Sequence, residues 1–197
     1  MEGFVSLAAD VYGKGIIGKS REESLLLMKP YKTKENRSTL LKGLTTAAFD
    51  YVKSLPYVDD KKIFAIGYCF GGLAVLDLAR YNIDLAAVVS FHGTLKPILD
   101  AESPETLKPI NTRILICHGD SDTHIPLEDV LNFTTEMKAR KADWQFITYS
   151  NAKHGFTEPH LANSPYEGIG YDEKAAKRSW TAMLNLFAEF VGNVEKI

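Results

Sequence analysis

The chain has 197 residues, a formal net charge of −2 and a pI of about 6.2, with 45% hydrophobic residues to build a core. That length suits one domain, and that charge balance offers no electrostatic case for nucleic acid or an anionic membrane surface. Two cysteines make no disulfide framework, no apolar run approaches a membrane span, and the N-terminus lacks the basic-then-apolar order of a signal peptide, so a reduced, cytoplasmic setting is expected.

In chain order, residues 4–8 read as a first strand. Ser20 opens a short helix, with Glu23 three residues on as its capping-box partner. Residues 34–55 carry an apolar stripe at helical spacing through Leu40, Leu41, Leu44, Ala47, Ala48, Tyr51, Val52 and Leu55, with Pro56 just past the end. Residues 62–66 form a β-rich run that enters a glycine-rich turn and then a helical run over 73–80. Residues 86–91 predict the next strand, and 96–110, with three prolines, a loop. Strand 113–117, helix 126–140 and strand 143–149 follow. Residues 158–172 are polar and rich in Gly and Pro, as a lid or rim loop would be. The last element is an amphipathic helix over 173–191 that packs Trp180, Met183, Leu184, Phe187 and Phe190. Alternating apolar strands and helices imply one domain over 1–197, an α/β/α three-layer sandwich around a mostly parallel sheet. About five strands are expected, the last four in sequential order.

The chemistry concentrates at Gly67-Tyr68-Cys69-Phe70-Gly71-Gly72. A reactive side chain between a strand and a helix, framed by glycines, reads as the nucleophile elbow of α/β-hydrolases with cysteine at the nucleophile position. The acid and the histidine should then follow at the carboxyl ends of later strands. Strand 113–117 runs into His118-Gly119-Asp120-Ser121-Asp122, and strand 143–149 runs into His154-Gly155-Phe156. Cys69, Asp122 and His154 therefore stand in hydrolase order. Asp120 competes with Asp122 for the acid role, but suits an Asx-type turn that accepts loop N–H groups. Cys117, in mid-strand, reads as a small buried hydrophobe. His92, His118, His124 and His160 could be set beside Asp120 as zinc ligands, yet no two of these histidines fall at helical i, i+4 spacing and no recurring zinc motif matches. No metal or cofactor is expected.

Across essentially its whole length the chain resembles the dienelactone hydrolase family. The elbow carries the likeness, with the His118–Asp122 segment followed by Ile125-Pro126, and with His154-Gly155-Phe156; softer marks are Ala9-Asp10-Val11-Tyr12-Gly13 and Ser90-Phe91-His92-Gly93. The resemblance implies a hydrolase of small esters or lactones, with Cys69 as nucleophile, His154 as general base and acid, and Asp122 orienting the imidazole. The Phe70 N–H would be one oxyanion donor, and Tyr68, His92 and Phe156 would line the substrate pocket. Glu158 stands where an arginine would serve an anionic substrate, which favours a neutral ester. Relative to the family, the strands and oxyanion loop expected before residues 4–8 have no counterpart, so a shortened relative is expected. Its first strand would pair with residues 62–67, pair elsewhere, or leave a gap, and a homodimer could supply the missing edge. The competing reading is an impaired paralogue or fragment that serves as a thiol-based binding or redox-sensing module through Cys69.

Overall fold

In the computed structural model, which describes residues 3–97 and 108–191, four strands form one parallel sheet in the order β1-β2-β3-β4. They are β1 (Phe64–Tyr68), β2 (Ala87–Phe91), β3 (Arg113–Gly119) and β4 (Trp144–Tyr149). Parallel strands covered on both faces must be apolar on both faces. β2 meets this with burial at all five positions. Val88 turns to a core shared with helices α3 (Lys42–Lys53), α4 (Phe70–Arg80) and α5 (Leu127–Ala139). Val89 and Phe91 turn to a second core closed by α6 (Glu173–Val191). The result is a three-layer α/β/α sandwich.

The fifth strand expected at residues 4–8 does not form. That segment joins no ladder, and β1 is the outer strand of the sheet. It is held by a side chain instead: the Phe4 ring lies 6.1 Å from Phe64 and 5.6 Å from Phe187. The segment pairs with neither residues 62–67 nor another strand, and no gap opens within the sheet, because β1 is its outer strand among the described residues.

The short helix capped by Ser20 is α1 (Arg21–Met28), with Ser20 Oγ accepting from the Glu23 N–H; the Glu23 carboxylate accepts from the Lys19 N–H, one residue before the Ser20 N–H that a capping box would use. The long helix expected over 34–55 is instead α2 (Lys34–Asn36), a π-helical stretch (Arg37–Leu41) and α3. Its inward face also differs from the expected stripe. Arg37, Leu41 and Thr45 are buried, whereas Leu40, Leu44 and Tyr51 are exposed. The physical reason is an ion pair. Arg37 reaches Asp77 of α4 through Nε and Nη2 at 2.8 and 2.7 Å and donates to the Lys96 and Pro97 carbonyls, which fixes which side turns inward. Arg80 extends the network to Asp77, Glu136 and the Leu95 carbonyl. Of the loop expected at 96–110, residues 98–107 lie outside the described residues. No helix among the described residues is long and apolar enough to cross a membrane.

Candidate active site

The turn from β1 into α4 raises Cys69 above the sheet because the backbone there is forced. Cys69 has φ 51° and ψ −113°, a conformation that a side chain adopts only when its surroundings over-determine it. Its N–H donates to the Phe91 carbonyl of β2, and its carbonyl accepts from Leu73 in the first turn of α4. Helix and strand nearly touch. A Cβ on Gly72 would lie 2.5 Å from Ser90 Oγ and 2.8 Å from Gly93 Cα, and one on Gly67 would collide with the Gly71 carbonyl. Phe70 occupies the first position of α4, where a backbone N–H has no partner inside the helix.

The loops after β3 and β4 bring the other two groups to the thiol. His154 Nε2 is 3.1 Å from Cys69 Sγ, and its Nδ1 is 2.8 Å from Asp122 Oδ2. Asp122 is buried in a turn closed by its own N–H to the Gly119 carbonyl, and its Oδ1 accepts from the His124 N–H. His154 is placed by a short bridge to Ile169 in the loop before α6, its N–H donating to the Gly168 carbonyl. Burial pulls the imidazole down, but the hydrogen bonds and charges of Asp122 and Cys69 outweigh it, and its pKa rises to about 10. This arrangement can accept a proton from sulfur at one ring nitrogen while a carboxylate holds the other.

Of the two aspartates in this loop, Asp122 reaches the imidazole. Asp120 Oδ1 instead accepts the Asn151 N–H at 2.5 Å, which ties the β3 and β4 loops together. Cys117 is fully buried, and burial raises its thiol to about 12, although the Tyr149 hydroxyl partly offsets this. His118 is buried at the end of β3 against the Phe146 ring, and His160 is exposed beside Glu158 at 3.5 Å.

The three residues expected to line a pocket go to three places. Tyr68 is half-exposed, stacked on Phe91 at 4.8 Å, and borders a groove of about 530 Å³ with Thr157, Glu158 and Trp180. His92 is buried, and it backs the catalytic-type imidazole edge-on at 5.3 Å while its Nε2 lies 2.8 Å from Thr157 Oγ1. Burial and the charge of His154 hold it down at about 3, so its ring stays neutral. Phe156 is fully buried between Tyr149 and His92. An aromatic ring with no exposure cannot meet a substrate, so Phe156 is core.

Two residues not singled out for the site face it. Tyr12 stacks on Phe70 at 6.0 Å and, with Val11, Ile16 and Ile17, borders a groove of about 350 Å³. Burial first, then the neighbouring Cys69 and Tyr31, raise its hydroxyl pKa. Tyr31 completes the ring cluster at 5.5 Å from Tyr12. Tyr12 belongs to the Ala9–Gly13 motif, which was the available signal, but nothing local showed that this segment folds against the elbow.

The dienelactone hydrolase family model matches residues 1–191. A solved structure described as a dienelactone hydrolase-like promiscuous phosphotriesterase from metagenomic libraries is 36% identical, with a TM-score of 0.81 over 92% of this chain and 73% of that one. An uncharacterized Caenorhabditis elegans protein is 44% identical over 155 residues, 78% of this chain and 96% of its own length. A Salmonella typhimurium protein named "Putative carboxymethylenebutenolidase" is 30% identical over 138 residues, 68% of this chain, which spans about half of that relative.

Proposed function

Because the chain belongs to the dienelactone hydrolase family, we propose that it hydrolyses small carboxylic esters or lactones through Cys69, His154 and Asp122. The observation that carries this reading is the unbroken line from Sγ through the imidazole to a buried carboxylate, at 3.1 and 2.8 Å. His154 Nε2 takes the thiol proton, and the thiolate attacks the acyl carbon. The Phe70 N–H receives the developing oxyanion, a kind of donor whose loss costs about 3 kcal/mol. The C–O bond breaks as His154 returns the proton to the leaving oxygen. His154 then activates water, which hydrolyses the thioester and frees the thiolate. His92 and Asp122 act through His154, one as a neutral wall and one as an acceptor.

The substrate reading is a neutral, compact ester whose acyl or alkoxy arm lies along Tyr12 and Phe70. The walls there are mostly aromatic and aliphatic, with Asp10 the one charged residue, and Glu158 lines the groove beside Tyr68; neither groove offers a cation to an anionic substrate apart from His160 if protonated. The relative described as a promiscuous phosphotriesterase supports a second activity: a neutral phosphotriester presents an electrophilic centre to the same thiolate. Burst and steady-state kinetics on a neutral aryl ester, an anionic lactone and an aryl dialkyl phosphate test these readings together. Steady turnover of the aryl ester, abolished by Cys69→Ala, is expected. Preference for the anionic lactone defeats the substrate reading. A stoichiometric burst without turnover replaces the enzyme by the thiol-module reading.

A further inference from the structure

Beside the sulfur, the same loops hold a second chemical arrangement. Asp122, His124 and His154 offer a carboxylate oxygen and two imidazole nitrogens that all lie within 4.8 Å of one another. Asp122 Oδ2 is 2.8 Å from His154 Nδ1, and Oδ1 is 3.7 Å from His124 Nδ1. The two imidazoles lie alongside each other, centroids 4.7 Å apart and tilted by 34°. Tetrahedral zinc binds such atoms at about 2.0–2.2 Å, which sets its ligands about 3.3 Å apart. One of these two separations is shorter than this and the other longer, each by about half an ångström. Two imidazoles and one carboxylate are a zinc-type donor set, with the fourth position left to water. The His124 side chain is 39% exposed, which gives an ion a route in from solvent.

We propose that Asp122, His124 and His154 form an inhibitory zinc site. Zn²⁺ coordinated at His154 Nδ1 releases the proton from that nitrogen to solvent and replaces the hydrogen bond to Asp122 by two metal bonds. His154 can then no longer turn between accepting and returning a proton, and hydrolysis stops without oxidation of any group. The rival ligand set uses the opposite ring nitrogen: Cys69 Sγ and His154 Nε2, without His124. Two imidazole nitrogens suit a transition ion such as Zn²⁺ and not Mg²⁺ or Ca²⁺, which take oxygen ligands. The inhibition rests on the hydrolase reading, but zinc binding does not.

The test is Zn²⁺ affinity of the full chain by competition with a chromophoric chelator, for the wild type, Cys69→Ser, His124→Asn and His124→Cys. Cys69→Ser is expected to bind as the wild type does, and His124→Asn to bind about tenfold or more weakly. His124→Cys, which restores a ligand atom, recovers the affinity. In the wild type and the two His124 variants, zinc inhibition of ester turnover, measured as the ratio of rates with and without the ion, shifts in parallel. Loss of binding in Cys69→Ser assigns the ion to the thiol and overturns the proposal. So do unchanged binding in His124→Asn, a His124→Cys as weak as His124→Asn, and absence of saturable binding. If no variant turns over ester, the hydrolase reading falls, while the chelator competition still decides the zinc site.

Discussion

At the residue scale, His154 is useful because of what touches its two nitrogens. Asp122→Asn keeps the shape but removes the charge that fixes the tautomer, and kcat for ester hydrolysis should fall about 10³–10⁴-fold. Because the His154 pKa is raised to about 10, the imidazolium needed to protonate the leaving group persists through the neutral range and is lost as pH rises through that value. On the proposed mechanism a falling alkaline limb near pH 10 is therefore expected in kcat/KM, which reports the free enzyme, moving to lower pH in Asp122→Asn; an unchanged limb defeats the assignment. His92 has the opposite sign. Its folded pKa of about 3 lies below the ordinary 6.5, so the unfolded chain takes up a proton first as pH falls. Stability is full above pH 6.5 and drops between 6.5 and about 3, by up to about 4–5 kcal/mol at the low end. In His92→Phe that acid slope, followed by urea unfolding, should flatten.

At the element scale, the elbow and the buried ion network set how α4 meets the sheet. Gly72→Ala would press a methyl against Ser90 and Gly93, two groups with no room to retreat. A loss of about 1–3 kcal/mol is expected in urea midpoint experiments, with a fall in turnover as Cys69 shifts. Asp77 accepts from both Arg37 and Arg80 at 2.7–3.2 Å in a buried setting. Removing it as Asp77→Ala takes the carboxylate from buried Arg37, while Arg80 keeps Glu136, and about 3–5 kcal/mol is the usual cost of breaking such a buried pair. A variant that unfolds at the wild-type midpoint would show that the network is solvated. The same network explains why the helical stripe misleads. Periodicity counts apolar residues, whereas here an arginine with a buried partner decides which side faces inward.

At the scale of the whole molecule, β1 is both the strand that carries the elbow and the open edge of the sheet. Among the described residues it pairs with β2 alone, while Ile66 and Tyr68 stay 40% and 38% exposed. An apolar, uncovered strand edge is a template for pairing with another chain. We expect concentration-dependent self-association in light scattering, reduced by Ile66→Lys, which places a charge beside that edge. A wild-type protein that stays monomeric at high concentration defeats this. Residues 4–8 do not close the edge because a strand needs a ladder partner within hydrogen-bonding reach, and this segment is anchored through the Phe4 ring instead.

The sequence by itself determined the alternation of strands and helices, the order of the four parallel strands, and the glycine frame around Cys69. These follow from local causes: apolar runs that must be covered on both faces, and a close approach of helix to strand that leaves no room for a Cβ at Gly67 or Gly72. It also narrowed the acid to Asp120 or Asp122, since both follow β3. Only the tertiary structure shows which of the two meets the imidazole, because that depends on where the loops after β3 and β4 meet, and there Asn151 takes Asp120 while His154 takes Asp122. It likewise moved Phe156 into the core, set His92 behind the imidazole and brought Tyr12 to Phe70. Those outcomes depend on contacts between residues far apart in the chain, whose geometry is set by packing across layers and is absent from any local pattern.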